Sequence, residues 1–229
     1  MDHQFWSQRW QGNNIGFHRS DANPLLVDHF SALALKPGSH IFVPLCGKTL
    51  DLRWLVSQGY RVTGIELIEM AVEQLFQEWG IDPQLEIQGE LRRYSAPQIT
   101  VFAGDVFQLS ADRLGAVDGI YDRGALVALP SPLRQRYTAH LQAIAPLASQ
   151  LLLTYEYDQT LRDGPPFAIT LAEIQEHYSD RYEITLLSSQ EIPGGLFKQY
   201  PALEQVWGLV PRPDFQGKLQ SGQADGNDR

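Results

Sequence analysis

Short apolar runs alternate with segments of helical periodicity through the middle of the chain. Residues 40–45 form an apolar run typical of a buried strand, and a turn containing glycine leads from it into a helical pattern over 49–58. A strand pattern rich in β-branched residues then covers 60–65, and a second helical pattern covers 69–79. A glycine follows each helical pattern, where glycine commonly ends a helix. This part of the chain therefore predicts two strand–helix units in succession.

The same alternation continues towards the end of the chain. Further strands are predicted at 99–103, 117–122, 150–155, 182–187 and 203–209, with a helix at 131–144. Strands separated by helices indicate right-handed crossovers and a mainly parallel sheet with helices on both faces. The last two strands have no helix between them, which predicts an antiparallel hairpin at one edge. We expect an α/β fold with seven strands, and a ligand site beyond the turn that follows the first strand.

Composition narrows the class of protein. The 229 residues include 18 Lys and Arg against 27 Asp and Glu, a net charge of −9, and 43% are hydrophobic. This balance predicts a globular chain without a basic face for nucleic acid or an anionic membrane. We expect a single domain over residues 1–213, and a tail over 214–229 that has almost nothing to bury.

The chain has one cysteine, Cys46, so it cannot form an internal disulfide. No cysteine and histidine pair stands at zinc-site spacing, which predicts no metal site. The first residues lack the basic and then apolar pattern of a secretion signal, and no apolar run is long enough to span a membrane. These observations predict a cytoplasmic protein.

The turn after the first strand contains the letters GKT at 47–49, which resemble the end of a phosphate-binding loop. That loop requires a glycine five residues before Gly47, where this chain has Phe42. The dinucleotide fingerprint requires three glycines, and only Gly47 is present here. The turn is therefore expected to meet a ligand that has no diphosphate.

Glu66 ends the second predicted strand, 19 residues after Gly47. Folds of this kind place a carboxylate near this position, where it accepts hydrogen bonds from both hydroxyls of a ribose. The alternative is that Glu66 only caps the next helix, where the helix dipole favours an acid. A ribose without a diphosphate points to S-adenosylmethionine as the ligand.

Arg123 follows the fourth predicted strand, so its side chain is expected at the cleft. Its planar group of donors can hold a carboxylate or another anion. The alternative is a structural ion pair with Asp122 or with a glutamate elsewhere. The sequence leaves both possibilities open.

Several segments carry a resemblance to a known family. The sequence resembles the thiopurine S-methyltransferases, which belong to the Rossmann-like, class I methyltransferases that use S-adenosylmethionine. The matching segments are FH at 17–18, FVPLCGK at 42–48, GIE at 64–66, DRGALVA at 122–128 and GPPF at 164–167. They lie in order over residues 5–210, and the short acidic chain is similar to bacterial members.

The resemblance implies a cofactor, S-adenosylmethionine, which leaves as S-adenosylhomocysteine. The residues implied to bind it are Trp6, Trp10, Leu45, Gly47, Glu66, Asp105, Val106 and Arg123. Among these, Glu66 holds the ribose, while Asp105 and Val106 hold the adenine. Asp105 has an alternative role as the N-cap of a helix.

The resemblance also implies a lid over residues 1–22. Trp6 and Trp10 lie four apart on one face of a predicted helix, a spacing more often found in a core than at a ligand. In the family this segment folds over the cofactor, with Phe17 against the acceptor. Arg123 is implied to be the catalytic residue and to bind the acceptor. Members from animals carry a second arginine before the last strand, where this chain offers only Lys198.

The function implied is transfer of a methyl group to an aromatic or heterocyclic thiol by direct in-line displacement, in a monomer with a small-molecule substrate. Three alternatives stay open at this point. One is methylation of selenium or tellurium oxyanions or of other small thiols. The second is a protein that binds the cofactor without catalysis, and the third is an enzyme that uses a nucleoside triphosphate.

Overall fold

The computed structural model of the protein describes residues 3–16 and 18–214. The helices are α1 His3–Gln11, α2 Pro24–His29, α3 Asp51–Ser57, α4 Glu69–Trp79, α5 Ala111–Leu114, α6 Ser131–Ile144 and α7 Leu171–Tyr178. The strands are β1 His40–Pro44, β2 Arg61–Glu66, β3 Gln84–Gln88, β4 Leu91–Ala96, β5 Ile99–Ala103, β6 Gly119–Arg123, β7 Ser149–Tyr157, β8 Tyr182–Glu191 and β9 Ala202–Pro211. Phe17 and residues 215–229, most of the predicted tail, lie outside the described residues.

The strands form one mixed sheet in the order β3-β4-β5-β2-β1-β6-β7-β9-β8. The five central strands run parallel, as the alternation of strands and helices predicts. An antiparallel pair is added at each edge. The α/β prediction is confirmed, but the predicted number of seven strands is wrong, because the described part of the sheet has nine.

The two strands that the sequence pattern misses are β3 and β4, which form a hairpin at one edge. All but the last side chain of β3 are exposed, so its apolar residues mark no buried run. The turn between the strands begins at Gly89, whose φ of 67° suits the first position of a tight hairpin turn. An isolated glycine between two short alternating segments was the available signal.

The opposite edge agrees with the predicted hairpin of the last two strands. β8 and β9 pair antiparallel, and both extend beyond the predicted bounds to ten residues. β9 lies between β7 and β8, so the last strand of the described residues is inside the sheet. The helix α7, which precedes this hairpin, was not predicted, and neither was the short α2.

The predicted helices are confirmed within one or two residues. The bounds of α6 and α4 agree with the periodicity, and α4 ends at Gly80 with a φ of 66°. No helix among residues 3–16 and 18–214 has the length and apolar character needed to cross a membrane.

Helices cover both faces of the sheet, as predicted. In β1, which is buried along its whole length, Phe42 faces one layer while Ile41 and Val43 face the other. Helices α6 and α7 pack on the first face, and α2, α3 and α4 pack on the second. Buried on both sides, the central strands hold their carboxyl ends in fixed positions.

The direction in which the chain adds strands reverses at β1. β2 lies on one side of this strand and β6 on the other, so the loops after β1 and β6 diverge at its carboxyl end. Ligands of open α/β sheets bind at such a point. The cavity described next lies there, as the sequence predicts.

Candidate active site

A cavity of about 250 Å³ opens at the carboxyl ends of β1, β2 and β6. Helix α1 and the residues after it form a further wall, and the loops after β7 and β8 complete the lining. Six of the residues predicted to form the site line this cavity together, namely Trp6, Trp10, Leu45, Gly47, Glu66 and Arg123. Residues distant in sequence thus meet at one place.

The loop after β1 has an unusual backbone. Leu45 has a φ of 47° and Gly47 a φ of 54°, both in the left-handed region that side chains normally avoid. The N–H of Cys46 donates to the carbonyl of Ile65 at 3.0 Å, which ties the loop to β2. A Cβ atom on Gly47 would lie 3.1 Å from Cζ2 of Trp10. Glycine is therefore required here both by the backbone and by the close tryptophan.

Glu66 is a buried carboxylate at the end of β2, with 7% of its surface exposed. Its Oε2 accepts from the N–H of Gly47 at 2.9 Å, and its Oε1 accepts from the N–H of Ile68 at 2.9 Å. Burial raises the pKa of Glu66, and these backbone donors oppose that rise. These two bonds join the loop after β1 to the start of α4. A carboxylate accepts about four hydrogen bonds, so Glu66 keeps acceptor capacity towards the cavity.

The N-terminal helix α1 closes one side of the cavity with its tryptophans. Trp10 is 5% exposed and packs against Ile68 and Ala71 at the start of α4, with Trp6 beside it. The same two indole rings line the cavity. From the helical spacing, a place in the core and a place at a ligand site were alternatives for Trp6 and Trp10. In the structure, both tryptophans pack in a hydrophobic cluster and also line the cavity.

Arg123 lies at the end of β6 and lines the cavity, whereas its neighbour Asp122 faces the opposite layer. The carboxylate of Asp122 accepts from the N–H of Leu126 at 3.1 Å and from the hydroxyl of Tyr137 at 2.8 Å. Burial raises the pKa of Asp122 to about 6. Asp122 is thus held by groups on its own side of the sheet.

Tyr155 on β7 lines the cavity near Arg123. Burial, together with the carboxylate of Glu204 on the adjacent strand, raises the pKa of Tyr155 to about 12, while Arg123 acts in the opposite direction. The phenol is therefore neutral at physiological pH. Pro165, Pro166, Leu196 and Phe197 add apolar surface at this end of the cavity.

Three predicted site residues do not line the cavity. Asp105 caps a short 3-10 helix through a bond from the N–H of Phe107 at 3.1 Å, which is the alternative role given to it by sequence. Val106 is fully buried in the core. Lys198 is exposed, with a φ of 58°, and its neighbours Leu196 and Phe197 reach the cavity in its place.

A buried polar network, which no sequence pattern predicts, borders the cavity. Asp51, 1% exposed, accepts from the N–H of Asn23 at 2.7 Å and from the hydroxyl of Tyr121 at 3.0 Å. Both Asp51 and Tyr121 line the cavity, and Asn23 caps α2 just after the predicted lid. This network fixes the point where the N-terminal segment joins the body of the fold.

Two further polar residues at the cavity were also missed. His18 belongs to a matching segment but was given no role, and Lys48 belongs to the loop after β1. The Nζ of Lys48 lies 2.5 Å from Oε1 of Glu78 on α4. Among residues 3–16 and 18–214, no cluster of three or more metal-ligating side chains is found.

Cys46 lies under the loop and faces β2. It is 6% exposed, and a Cβ atom on Gly64 would lie 2.7 Å from its Sγ. Burial and the neighbouring charge of Glu66 raise the pKa of the Cys46 thiol. The thiol is therefore a packing group rather than a nucleophile.

The cavity combines features that suit an adenosyl ligand. The buried acceptor Glu66, the loop with positive φ at Leu45 and Gly47, and the apolar rings of Trp6 and Trp10 all line it. Solved structures with a similar fold are methyltransferases. One is the 1,6-didemethyltoxoflavin-N1-methyltransferase of Burkholderia thailandensis, with a TM-score of 0.60, 19% identity, and coverage of 90% of this chain and 86% of that one. Another is a SAM-dependent methyltransferase of Anabaena variabilis, with a TM-score of 0.60, 18% identity, and coverage of 92% and 95%.

The fold, together with the sequence family given next, defines a Rossmann-like, class I methyltransferase that uses S-adenosylmethionine. Sequence similarity specifies the group within this class. The family described as Thiopurine S-methyltransferase (TPMT) matches residues 1–201, and this chain belongs to that family. The enzyme is an S-methyltransferase, as the resemblance implies.

Similar relatives cover nearly the whole chain. The thiopurine S-methyltransferase of Xanthobacter autotrophicus is 48% identical over 208 residues, which are 90% of this chain and 98% of the relative. That of Gluconobacter oxydans is 46% identical over 209 residues, covering 91% and 95%. Both alignments therefore cover at least 90% of this chain and at least 95% of the relative.

Proposed function

We propose that this enzyme methylates the sulfur of a planar heteroaromatic thiol, the class for which its relatives are named. The observation that carries the proposal is the composition of the cavity, where Arg123 stands beside Tyr155 and the apolar surface of Leu196 and Phe197. A cation among flat apolar walls suits an aromatic ring that carries a delocalised negative charge. The apolar side chains of Leu196, Phe197, Pro165 and Pro166 at this end offer a strongly hydrated selenium or tellurium oxyanion no side-chain hydrogen bonds.

The donor end of the cavity is proposed to lie between Glu66 and the tryptophans. Glu66 accepts from the ribose hydroxyls with the lone pairs that Gly47 and Ile68 leave available. Trp6 and Trp10 cover the ligand, and the backbone at Leu45 and Gly47 contacts it. Asp105 and Val106 at the adenine stay predictions.

The acceptor end is proposed to lie around Arg123. Its guanidinium stabilises the thiolate, an interaction worth about 1.5–3 kcal/mol when a hydrogen bond carries charge. Phe17 and Lys198 stay predictions for this end, the first because it lies outside the described residues. In the region where members from animals carry a second arginine, Leu196 and Phe197 add apolar surface to the cavity.

Catalysis is proposed to arise from alignment and exclusion of water. S-adenosylmethionine supplies a methyl group on a cationic sulfur. α1 and the loop after β8 shield that end of the cavity, so a thiolate held there loses its hydration and becomes more reactive. Holding the two reactants in line contributes on the order of 7–11 kcal/mol, and the chain needs no covalent intermediate.

The setting of the enzyme is part of the proposal. The one cysteine is buried, which suits a reducing compartment, and we propose a cytoplasmic enzyme that acts on small molecules. We propose that it works as a monomer. Size-exclusion chromatography with light scattering measures the molar mass of the protein, with and without S-adenosylhomocysteine. The mass of a single chain is expected.

A labelled-methyl assay tests the acceptor class. The protein is incubated with S-adenosylmethionine carrying a labelled methyl group and with a thiopurine, a thiophenol, an aliphatic thiol or selenite. We expect label on the two aromatic thiols at rates at least tenfold above the others. Faster transfer to selenite would overturn the proposed acceptor, and binding of S-adenosylhomocysteine without transfer to any acceptor would overturn catalysis.

A further inference from the structure

His18 lies where a proton acceptor for the methyl acceptor is needed. It follows the lid helix, and its backbone N–H donates to the carbonyl of Ile15 at 2.8 Å, which closes a turn. The side chain is half-buried and lines the same cavity as Arg123 and Tyr155. The imidazole thus shares the acceptor end with the cation proposed to hold the thiolate.

The other titratable groups of the described lining have different tasks or the wrong protonation state. Glu66 and Asp51 each accept two hydrogen bonds from the protein itself. The pKa of Tyr155 is raised to about 12, and burial also raises the pKa of Tyr121 far above its ordinary value, so both phenols stay protonated. Arginine and lysine side chains carry no lone pair when charged. His18 is the histidine that lines the cavity within residues 3–16 and 18–214.

Charges around His18 favour its neutral form. Burial lowers the pKa of His18, the cations Lys48 and Arg123 lower it further, and the carboxylates Glu78 and Asp51 partly oppose them. These four groups come from the loop after β1, from β6, from α4 and from α3. A neutral imidazole has a free lone pair at pH 7, and it adds no further positive charge to a site that receives a cationic sulfonium.

We propose that His18 is the general base that removes the proton from the acceptor thiol. The S–H bond breaks, the proton binds a ring nitrogen of His18, and the electron pair stays on sulfur. That pair forms the new sulfur–methyl bond as the bond from the methyl carbon to the donor sulfur breaks. The imidazolium then releases its proton to water, so charge and atoms balance. This inference rests on the proposed thiol acceptor.

A graded series of acceptors separates this role from a structural one. Thiophenols whose substituents set the thiol pKa from well below to above the assay pH are compared in the wild type and in His18→Gln. An acceptor that is already ionised needs no base, so its turnover is expected to stay within about threefold. The least acidic thiol is expected to lose about 100-fold, the usual size of general-base catalysis.

Two controls complete the test. His29→Gln, at the end of α2 and outside the cavity lining, is expected to leave the whole series unchanged. In His18→Ala, added imidazole is expected to restore transfer to the least acidic thiol alone, which keeps the test valid if the glutamine variant fails to fold.

The outcomes distinguish this inference from the function on which it rests. An equal loss over the whole series, no loss at all, or the lack of imidazole rescue would each overturn the role of His18 alone. If the wild-type enzyme methylates none of the thiophenols, the proposed acceptor class fails, and this inference fails with it.

Discussion

Glu66 has a structural role in addition to the ligand role proposed for it. Its two oxygens fix the loop after β1 and the start of α4 through the N–H groups of Gly47 and Ile68. The helix cap and the ribose contact, which were alternatives from sequence, are thus compatible. A neutral amide in this place would have to direct its NH2 group at one of these two donors.

We therefore predict that Glu66→Gln weakens binding of S-adenosylhomocysteine by tenfold or more, because it loses a charged acceptor in a buried site. Isothermal titration calorimetry measures the Kd. Glu86→Gln on the exposed strand β3 is the matched control and should bind normally. An unchanged Kd in Glu66→Gln would limit this residue to its structural bonds.

Arg123 is expected to affect the acceptor more than the donor. Arg123→Lys keeps the charge but loses the planar pair of donors, so we predict that kcat falls by roughly 10- to 100-fold. The Kd for S-adenosylhomocysteine should change much less. Single-turnover kinetics and calorimetry on the same preparation measure the two effects, and the reverse balance would contradict the acceptor role.

At the scale of elements, helix α1 and the loop after β1 pack closely against each other. Gly47 has a positive φ, and Trp10 of α1 approaches it so closely that even a methyl group would press on the indole. Gly38, in the turn before β1, also has a positive φ, but nothing lies near its missing side chain. Comparing variants of these two glycines therefore separates the effect of backbone strain from the effect of contact with α1.

We predict that the left-handed backbone costs both Gly47→Ala and Gly38→Ala about 1 kcal/mol of stability, and that Gly47→Ala loses more because its methyl group also presses on Trp10. Gly47→Ala alone should weaken binding of S-adenosylhomocysteine, because its methyl group displaces Trp10. Urea unfolding gives the stabilities and calorimetry the affinities. Equal affinities in the two variants would show that α1 adjusts without loss.

Elements that bury a regular face were predictable from sequence. The 3.6-residue period of α6 marks a face that packs on the sheet, and the apolar run of β1 marks a strand that helices cover on both faces; both were found. The hairpin β3–β4 was missed because β3 is exposed and has no buried face to mark it. Likewise, residues whose task depends on distant partners, such as Asp51 and Tyr121, carry no local signal.

At the scale of the whole molecule, strand order decides which residues meet. The reversal at β1 brings the loop at Gly47, the end of β2 and Arg123 of β6 to one cavity, although they are far apart in sequence. The chain carries a net charge of −9, yet Arg9, Lys48 and Arg123 all line this cavity. The fold thus concentrates cations where an anionic acceptor is proposed to bind.

The stability of the fold depends on pH through Asp122, because this acid is buried between β6 and α6. An acid whose pKa is raised on folding binds its proton more tightly in the folded chain, so its contribution favours folding at low pH. With a pKa of about 6 in the folded protein against 3.8 when exposed, that contribution is lost as pH rises between these values. The loss amounts to about 3 kcal/mol.

We predict that Asp122→Asn removes this loss, since the amide does not titrate. The free energy of unfolding is measured in urea at about pH 4 and pH 7. The variant should gain stability relative to the wild type as pH rises, whereas Asp112→Asn on the exposed part of α5 should follow the wild type. Parallel curves for Asp122→Asn and the wild type would contradict the raised pKa.

The packing of Cys46 against Gly64 has a practical consequence. Because Cys46 is 6% exposed and its sulfur packs against Gly64 of β2 beside the cavity, a thiol reagent reaches the sulfur slowly, and faster when this region opens. The labelling rate then reports how often this region opens, and no residue has to be changed to measure it. We predict that saturating S-adenosylhomocysteine slows labelling at least tenfold. The labelling rate of the native cysteine then reports on conformational opening at the donor site.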